Sequence, residues 1–212
     1  MQKGFEKTTL ADIAKLSGVT KRVIIYEMNS KEELLGHLVT KFLDGVTQAS
    51  NSAATKLTDD KLLIFMANEV LQIYMAEMNE DMRNLYLADY SMPKTSEEVL
   101  KRRADMLYER FGDMFPEFAL KDFYELEIAS MGIMRAYMSV PCDIYFTLEV
   151  KSDRLITAML KIYDVDKAEI DKAKEFVRKI DFEAVAKKAV ADVFNELDIK
   201  TQNAECRTQN GV

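Results

Sequence analysis

Apolar residues recur every three or four positions along most of this chain, which is the spacing that predicts amphipathic helices. In residues 62–75 the recurring apolar positions are Leu62, Phe65, Met66, Val70, Ile73 and Tyr74. Residues 118–138 are apolar on more than one face, which predicts a central, well-buried helix that ends before Pro141. Three more helices are predicted by similar spacing in residues 154–163, 170–180 and 182–197.

One segment, DIYFTLEV at residues 143–150, alternates apolar and polar residues as a β-strand does. No second strand pattern accompanies it, and a lone strand leaves its backbone groups unpaired. We therefore predict an all-α fold. Composition agrees, because seven glycines and three prolines are few for 212 residues, and thirteen methionines suit an adaptable helical core.

A stretch of small and polar residues, TQASNSAATK from Thr47 to Lys56, is the best candidate for a junction between domains. We predict a small front domain in residues 1–46 and a larger helical body in residues 47–197. The tail, residues 198–212, is polar and unpatterned, and we expect it to be disordered.

The front domain contains LADIAKLSGVTKRVIIYEMNSKEELL, which has the pattern of two short helices joined by a tight turn. Thr9 and Asp12 can cap the first helix, and Thr20 can cap the second. Gly18 supplies the positive φ that a sharp turn between helices requires. Ile24 falls on the inner face of the second helix. This order of residues predicts a helix-turn-helix, whose second helix enters the major groove of DNA.

Several polar residues of this stretch are placed to contact DNA. Arg22 and Tyr26 are four residues apart and point away from the inner face, while Thr20 and Lys21 lie at the helix N-terminus, where phosphates or base edges would approach. Lys31 lies in the first turn of the next helix, where a cation gains nothing from the helix dipole. A phosphate partner would explain this position, and so would chance. The candidate DNA-binding residues are Thr9, Thr20, Lys21, Arg22, Tyr26 and Lys31.

A helical hairpin with a glycine turn and no DNA-binding role would show part of the same pattern. The caps on both helices and the following SKEEL extend the pattern beyond such a hairpin. With them, residues 8–35 resemble the DNA-binding domain of the TetR family of transcriptional regulators. The resemblance rests on TTLADIA, GVT, KRVIIYEM and NSKEELL, in that order and at close to the family's spacing.

The resemblance implies a larger helical domain that binds an inducer and forms a homodimer through its last helices, here residues 166–179 and 182–197. Such a dimer reads a palindromic operator in double-stranded DNA. A small-molecule inducer of unidentified chemistry would bind within residues 57–140. The candidate ligand-binding residues are Met66, Tyr74, Tyr86, Tyr90, Tyr108, Phe111, Tyr124, Met131, Met134, Arg135 and Tyr137.

The alternative for these methionine and aromatic residues is ordinary core packing. Arg135 is different, because it lies in an otherwise apolar helix and a buried cation needs an anionic partner. We expect that partner to be Glu127, Glu125 or a ligand carboxylate.

The front domain also departs from the family pattern. Only MQKGFEK precedes Thr8, so we expect the first helix of the domain to be truncated. Arg22 and Val23 stand where glycine and threonine are usual, and Ile25 and Glu27 replace aromatic or histidine side chains. Glu27 would repel a nearby phosphate. The alternative function is therefore a helical ligand-sensing or partner-binding dimer that has lost DNA binding.

Charge and composition bound the remaining function classes. The net charge is −7, but residues 1–50 carry seven Lys or Arg against six Asp or Glu, so the acidity lies in the body. Cys142 and Cys206 are the only cysteines and His37 the only histidine, and we expect no metal site, no cofactor and no enzyme chemistry. With no membrane-span pattern and no secretory signal, we expect a cytoplasmic protein.

Overall fold

The structure, a computed structural model, describes residues 7–89 and 93–192, and these are helices joined by turns without a β-strand. The predicted all-α fold is confirmed. Tyr90, the tail from residue 198 and the end of the last predicted helix lie outside the described residues. The helices are α1 (Leu10–Ser17), α2 (Lys21–Met28), α3 (Lys31–Ala54), α4 (Lys61–Glu77), α5 (Glu80–Asp89), α6 (Pro93–Phe111), α7 (Leu120–Ser139), α8 (Leu148–Ile162), α9 (Lys167–Val177) and α10 (182–192).

The chain divides into two compact units between Phe42 and Leu43, within α3. The polar stretch from Thr47 to Ala54, expected to be a junction, is helical and continues α3. Val46, Ser50 and Ala54 explain this, because they recur every four residues and are all buried in the second unit. A buried face of small residues therefore extends the helix through a segment that reads as a linker.

Residues 143–147 form a turn instead of the strand that their alternation suggests. The Asp143 side chain accepts hydrogen bonds from the Tyr145 amide at 2.8 Å and the Phe146 amide at 2.7 Å. Thr147 then caps α8 by accepting a hydrogen bond from the Val150 amide at 3.3 Å. Local side-chain acceptors thus satisfy backbone amides that a lone strand would have left unpaired.

Helix α4 is the centre of the second unit. Twelve of its seventeen residues are buried, on every side of the helix, and it packs against α5, α7, α8 and α9. Asp60 caps its N-terminus by accepting hydrogen bonds from the amides of Leu62 and Leu63. A helix that is apolar all round is stable only when other helices enclose it, and α4 has that environment.

Glu77, at the end of α4, is the centre of a buried ionic cluster. Its carboxylate accepts from Lys151 Nζ at 2.6 Å, from Arg83 Nη2 at 2.9 Å and from the Cys142 amide at 3.1 Å. Burial raises the pKa of Glu77, but these donors outweigh it and hold the pKa below its ordinary value. The fully buried Lys151 also donates to the Val140 carbonyl. The cluster therefore fixes the start of α8 and the segment after α7 to the end of α4.

The apolar faces of α9 and α10 pack inside the same chain. In α9 the buried residues include Ile170 and Phe176, and in α10 they include Phe182 and Ala186. The Phe182 ring lies 5.2 Å from the Tyr74 ring, centroid to centroid. These faces therefore contribute to the core of the second unit.

None of the helices within the described ranges is long and apolar enough to cross a membrane.

We predict that Lys151→Ala lowers the free energy of unfolding by about 3–5 kcal/mol, because it removes one partner of a buried ion pair. Chemical denaturation followed by circular dichroism measures the change. The matched control is Lys187→Ala, which breaks the exposed pair with Glu183 and leaves stability near that of the wild type. Equal effects of the two substitutions would contradict the buried role of Lys151.

Candidate functional site

The first helix of the front unit begins at a complete capping box. The Asp12 amide donates to Thr9 Oγ1 at 3.1 Å, and the Thr9 amide donates back to Asp12 Oδ2 at 2.9 Å. The Thr9 hydroxyl also donates to Asp12 Oδ2, at 2.7 Å. The predicted cap is confirmed. Thr9 therefore stabilises the start of α1, and in this arrangement its hydroxyl proton is engaged by Asp12 rather than offered to a phosphate.

The turn between α1 and α2 depends on Gly18. Its φ is +69°, in the left-handed region, and no heavy atom of the described residues beyond its two chain neighbours lies within 4 Å of the position that a Cβ would take. The backbone conformation, and not a shortage of space, is what requires glycine here. This turn sets the direction in which α2 leaves α1.

Helix α2 buries one side chain fully, half-buries Met28 and exposes its other residues. Ile24, 8% exposed, is the only residue of α2 that is buried. At about 100° per residue, Arg22 and Tyr26 lie on the opposite side of the helix. Both are exposed, and Tyr26 is 83% exposed. The predicted orientation of this pair, away from the inner face, is therefore present in the structure.

The N-terminus of α2 offers donors to an anion. Thr20 Oγ1 accepts from the Val23 amide at 3.4 Å, which leaves the Thr20 hydroxyl proton to donate elsewhere. Lys21 follows in the first turn and is exposed. Free amides, a hydroxyl and an ammonium group at a helix N-terminus together form a surface suited to phosphate.

The positions that depart from the family pattern are also at the surface. Val23 and Ile25, which flank the outward side of α2, are 46% and 42% exposed. Their methyl groups suit contact with the C5-methyl group of thymine, while they cannot donate to phosphate. Glu27 is exposed as well, and it places one negative charge beside the cations of α2.

The turn before α3 supplies side-chain hydrogen bonds to the start of that helix. The Glu33 amide donates to Ser30 Oγ at 3.0 Å, so Ser30 caps the helix. The Glu33 carboxylate accepts from Asn29 Nδ2 at 3.1 Å, and Asn29 has a positive φ of 49°. Lys31 lies half-exposed in the first turn of α3.

The candidate ligand-binding residues of the body differ widely in burial. Most are packed against other helices, and the ring of Tyr108, for example, lies 5.8 Å from that of Phe123. Tyr137 stacks on Phe146 with centroids 6.1 Å apart. Buried members are Met66, Tyr86, Phe111 and Met134; partly exposed members are Tyr74, Tyr124, Met131 and Tyr137; exposed members are Tyr108 and Arg135.

An open groove of ≈ 370 Å³ lies between α5 and α7. Among the candidates that the structure describes, Arg135 lines it. The other lining residues are Leu87, Gly132, Ala136 and Ser139. Sequence patterns did not single these out, because small and aliphatic residues within helices carry no chemical signature. A glycine in the middle of a long helix was the one available signal.

The prediction that Arg135 is buried is wrong. Arg135 is exposed, and the buried carboxylate of Glu127 instead accepts from Arg103 Nε, while Arg103 Nη2 lies 3.1 Å from Glu69 Oε1. Arg135 is eight residues from Glu127, about 12 Å along the same helix and on a different side of it. The cation that pairs with Glu127 is therefore Arg103 on α6, and not Arg135 on α7 as predicted.

Glu127, Arg103 and Glu69 form a second ionic cluster in the body. Burial raises the pKa of Glu127, and the nearby Arg103 guanidinium only partly opposes the effect. Glu69 adds a second carboxylate, which also raises the pKa of Glu127. Burial, followed by the charge of Glu127, raises the pKa of the Tyr163 hydroxyl as well. Two carboxylates thus share one arginine in the interior of the body.

Residues 1–38 match the family model described as bacterial regulatory proteins, tetR family. The match covers α1, α2 and the first turns of α3. No curated protein and no solved structure matches the chain.

We predict that the Glu127→Gln variant becomes more stable relative to the wild type as the pH rises above about 4.5, the ordinary pKa of a glutamate side chain. The pKa of Glu127 is raised in the folded state, so the folded wild type holds this proton more tightly than the unfolded chain does. Wild-type stability therefore falls as pH rises through that window, by about 1.4 kcal/mol for each unit of pKa difference.

Denaturant unfolding of the wild type and of Glu127→Gln, from about pH 4 to about pH 8, measures this difference in stability. Glu109→Gln, which removes an exposed carboxylate from α6, is the matched control. A difference between Glu127→Gln and the wild type that stays constant with pH would contradict the assignment.

Proposed function

Because the chain is a member of the TetR family of bacterial regulatory proteins, we propose that it is a ligand-responsive repressor. It acts in the cytoplasm as a homodimer, and the dimer binds a palindromic operator in double-stranded DNA. Each copy contributes one helix-turn-helix, and the two copies of α2 enter successive major grooves about 34 Å apart.

The observation that carries this proposal is the exposure of α2. Arg22 and Tyr26 are on the side opposite the buried Ile24, and Lys21 lies at the N-terminus of the same helix. A helix whose inner face is formed by Ile24 and the half-buried Met28 leaves its outer side open to a groove.

The exposed residues divide by the chemistry that each brings to DNA. The guanidinium of Arg22 suits a bidentate contact with O6 and N7 of guanine. Thr20 and Lys21 suit phosphate oxygens, which fix position without reading sequence. The Tyr26 side chain is long enough for its hydroxyl to reach either the DNA backbone or a base edge.

The ligand acts through the body of the protein. A ligand that binds one arrangement of the dimer more tightly shifts the population toward it, and DNA affinity changes by the same factor. The buried candidates Met66, Tyr86, Phe111 and Met134 support such a site, because methionine and aromatic side chains can repack around an apolar guest.

Selection of bound duplexes from a random pool tests the proposal, followed by a salt titration of the selected site. We predict a palindromic site whose log affinity falls linearly with log salt, with a slope near −0.9 for each phosphate neutralised. Arg22→Ala costs about 1–3 kcal/mol of binding and relaxes specificity at one base of each half-site. Lys21→Ala weakens binding to all sequences alike and reduces the magnitude of the slope.

Lys187→Ala is the control for loss of an exposed cation outside the front unit, and it leaves DNA affinity unchanged. Failure to enrich any duplex would overturn the proposal. It would favour instead a helical dimer that senses a ligand or binds a partner without reading DNA.

A further inference from the structure

Two polar residues interrupt the buried stripe of α7. The stripe begins and ends with the apolar side chains of Phe123, Met134 and Met138. Glu127 and Ser130 lie between them, about one turn apart on the same side of the helix, and they are 0% and 1% exposed. Polar groups at such positions are costly to bury unless they have hydrogen-bond partners.

Three oxygen atoms of this region lack such a partner. Glu127 Oε2, Ser130 Oγ and the Tyr163 hydroxyl are buried, and none of them has a hydrogen-bond partner within residues 7–89 and 93–192. They belong to one site, because Glu127 and Ser130 are both close enough to Tyr163 to change the pKa of its hydroxyl. Three unpartnered oxygen atoms that lie together in an interior suit a group that donates several hydrogen bonds.

The charge of this site is negative. One oxygen of Glu127 accepts from Arg103 Nε, and one oxygen of Glu69 lies 3.1 Å from Arg103 Nη2. The second oxygen of Glu69 accepts from the neutral Gln72 amide at 3.3 Å. Within the part of the chain that the structure describes, Arg103 is the cation paired with these two carboxylates. One negative charge therefore remains when both are ionised, and the free acceptor is Glu127 Oε2.

Aromatic rings lie at the Tyr163 end of the site. The Tyr163 ring is 5.9 Å from the Phe115 ring and 6.3 Å from the Phe123 ring, centroid to centroid. The Phe118 ring stacks on Phe115 with centroids 5.5 Å apart. Ring faces attract a cation through the aromatic quadrupole, and they also pack against apolar groups. A carboxylate beside several rings therefore favours a ligand that is both cationic and apolar.

The segment between α6 and α7 gives the site a route to solvent. Residues 112–119 form turns, and the Phe115 and Phe118 side chains that they carry are partly exposed. Phe115 thus contacts the buried Tyr163 ring and also reaches the surface. Displacement of the Phe115 ring opens a path to Tyr163 without displacement of a helix, because the segment that carries it is not helical.

We propose that the body binds an organic ammonium ion at this site, an amine with an apolar part that is protonated at neutral pH. A primary ammonium group has three N–H donors, and Glu127 Oε2, Ser130 Oγ and the Tyr163 hydroxyl are three acceptors. The apolar part of the ligand packs among the rings of Phe115 and Phe118. This inference rests on the proposed function and deepens it, because it names the chemical class of the ligand.

Other classes of ligand match the site less well. Glu127 and Glu69 repel a carboxylate or a phosphate. A neutral alcohol donates one hydrogen bond and leaves the negative charge uncompensated. A divalent metal ion such as Ca²⁺ takes about six or more oxygen ligands, and the described residues contain no group of three His, Cys, Asp or Glu that could hold one.

Calorimetric titration of the full chain with three probes tests the inference. Phenylbutylamine, phenylbutanol and phenylbutyrate share one apolar part, and their end groups are positive, neutral and negative at neutral pH. We predict that phenylbutylamine binds with a Kd of about 1 mM or below, at least about tenfold tighter than phenylbutanol. Phenylbutyrate shows no measurable binding.

Variants of the three acceptors locate the ammonium group. Glu127→Gln weakens phenylbutylamine binding at least about tenfold and changes phenylbutanol binding by less than about threefold. Ser130→Ala and Tyr163→Phe each weaken phenylbutylamine binding by about three- to tenfold, yet neither lowers stability, because each removes a buried hydroxyl without a partner. The matched controls are Glu109→Gln and Tyr145→Phe, which change exposed groups and leave all three binding constants unchanged.

The pH dependence of binding separates ion pairing from apolar contact. Burial raises the pKa of Glu127, Arg103 opposes this in part, and Glu69 adds to it. Ammonium binding needs the ionised carboxylate, so the affinity for phenylbutylamine rises by up to about tenfold per pH unit below that pKa and is constant above it. The raised pKa of Tyr163 keeps its hydroxyl protonated throughout. Glu127→Gln removes the pH dependence.

Equal affinities for the amine and the alcohol would overturn the inference, as would an amine constant that Glu127→Gln leaves unchanged. A site that holds only buried water gives this result. Absence of amine binding up to about 10 mM also overturns it. Duplex selection tests the proposed function separately. An enriched palindrome without charge-selective ligand binding refutes only the ligand class, whereas charge-selective binding without an enriched duplex refutes only DNA binding.

Discussion

The body of this protein depends on the burial of two carboxylates by one central helix. α4 is enclosed on all sides, yet it carries Glu69 in its middle and Glu77 at its end, and each needs a cation. Arg103 of α6 reaches Glu69, and Lys151 of α8 reaches Glu77. The positions of two further helices are therefore specified by ion pairs as well as by apolar packing, which accepts many arrangements of similar volume.

The front unit follows the opposite principle, because α2, the helix proposed to contact DNA, buries a single residue. α2 is held by Ile24 and directed by the left-handed turn at Gly18, while Arg22 and Tyr26 remain exposed. Residues that contact another molecule must stay exposed, so a recognition helix can contribute few side chains to the core of its domain.

Features that depend on neighbours in sequence could be predicted, and features that depend on distant residues could not. The caps at Thr9 and Thr20 and the turn at Gly18 each involve a span of a few residues, so the sequence contains their whole cause. The partner of Glu127 comes from α6, twenty-four residues away, and no local spacing identifies it. The prediction of a junction at Thr47–Ala54 was wrong for the same reason. The buried face that keeps this segment helical exists only after the body has folded.

The central claim is that α2 reads the major groove of DNA, and methylation interference on a selected duplex tests it most directly. Guanine N7 lies in the major groove and adenine N3 in the minor groove, so dimethyl sulfate separates the two modes of binding. The account predicts interference at guanine N7 in two half-sites about 10 base pairs apart, lost at one guanine of each half-site when Arg22 is replaced by alanine. Interference confined to adenine N3, or a pattern that Arg22→Ala leaves unchanged, would contradict it.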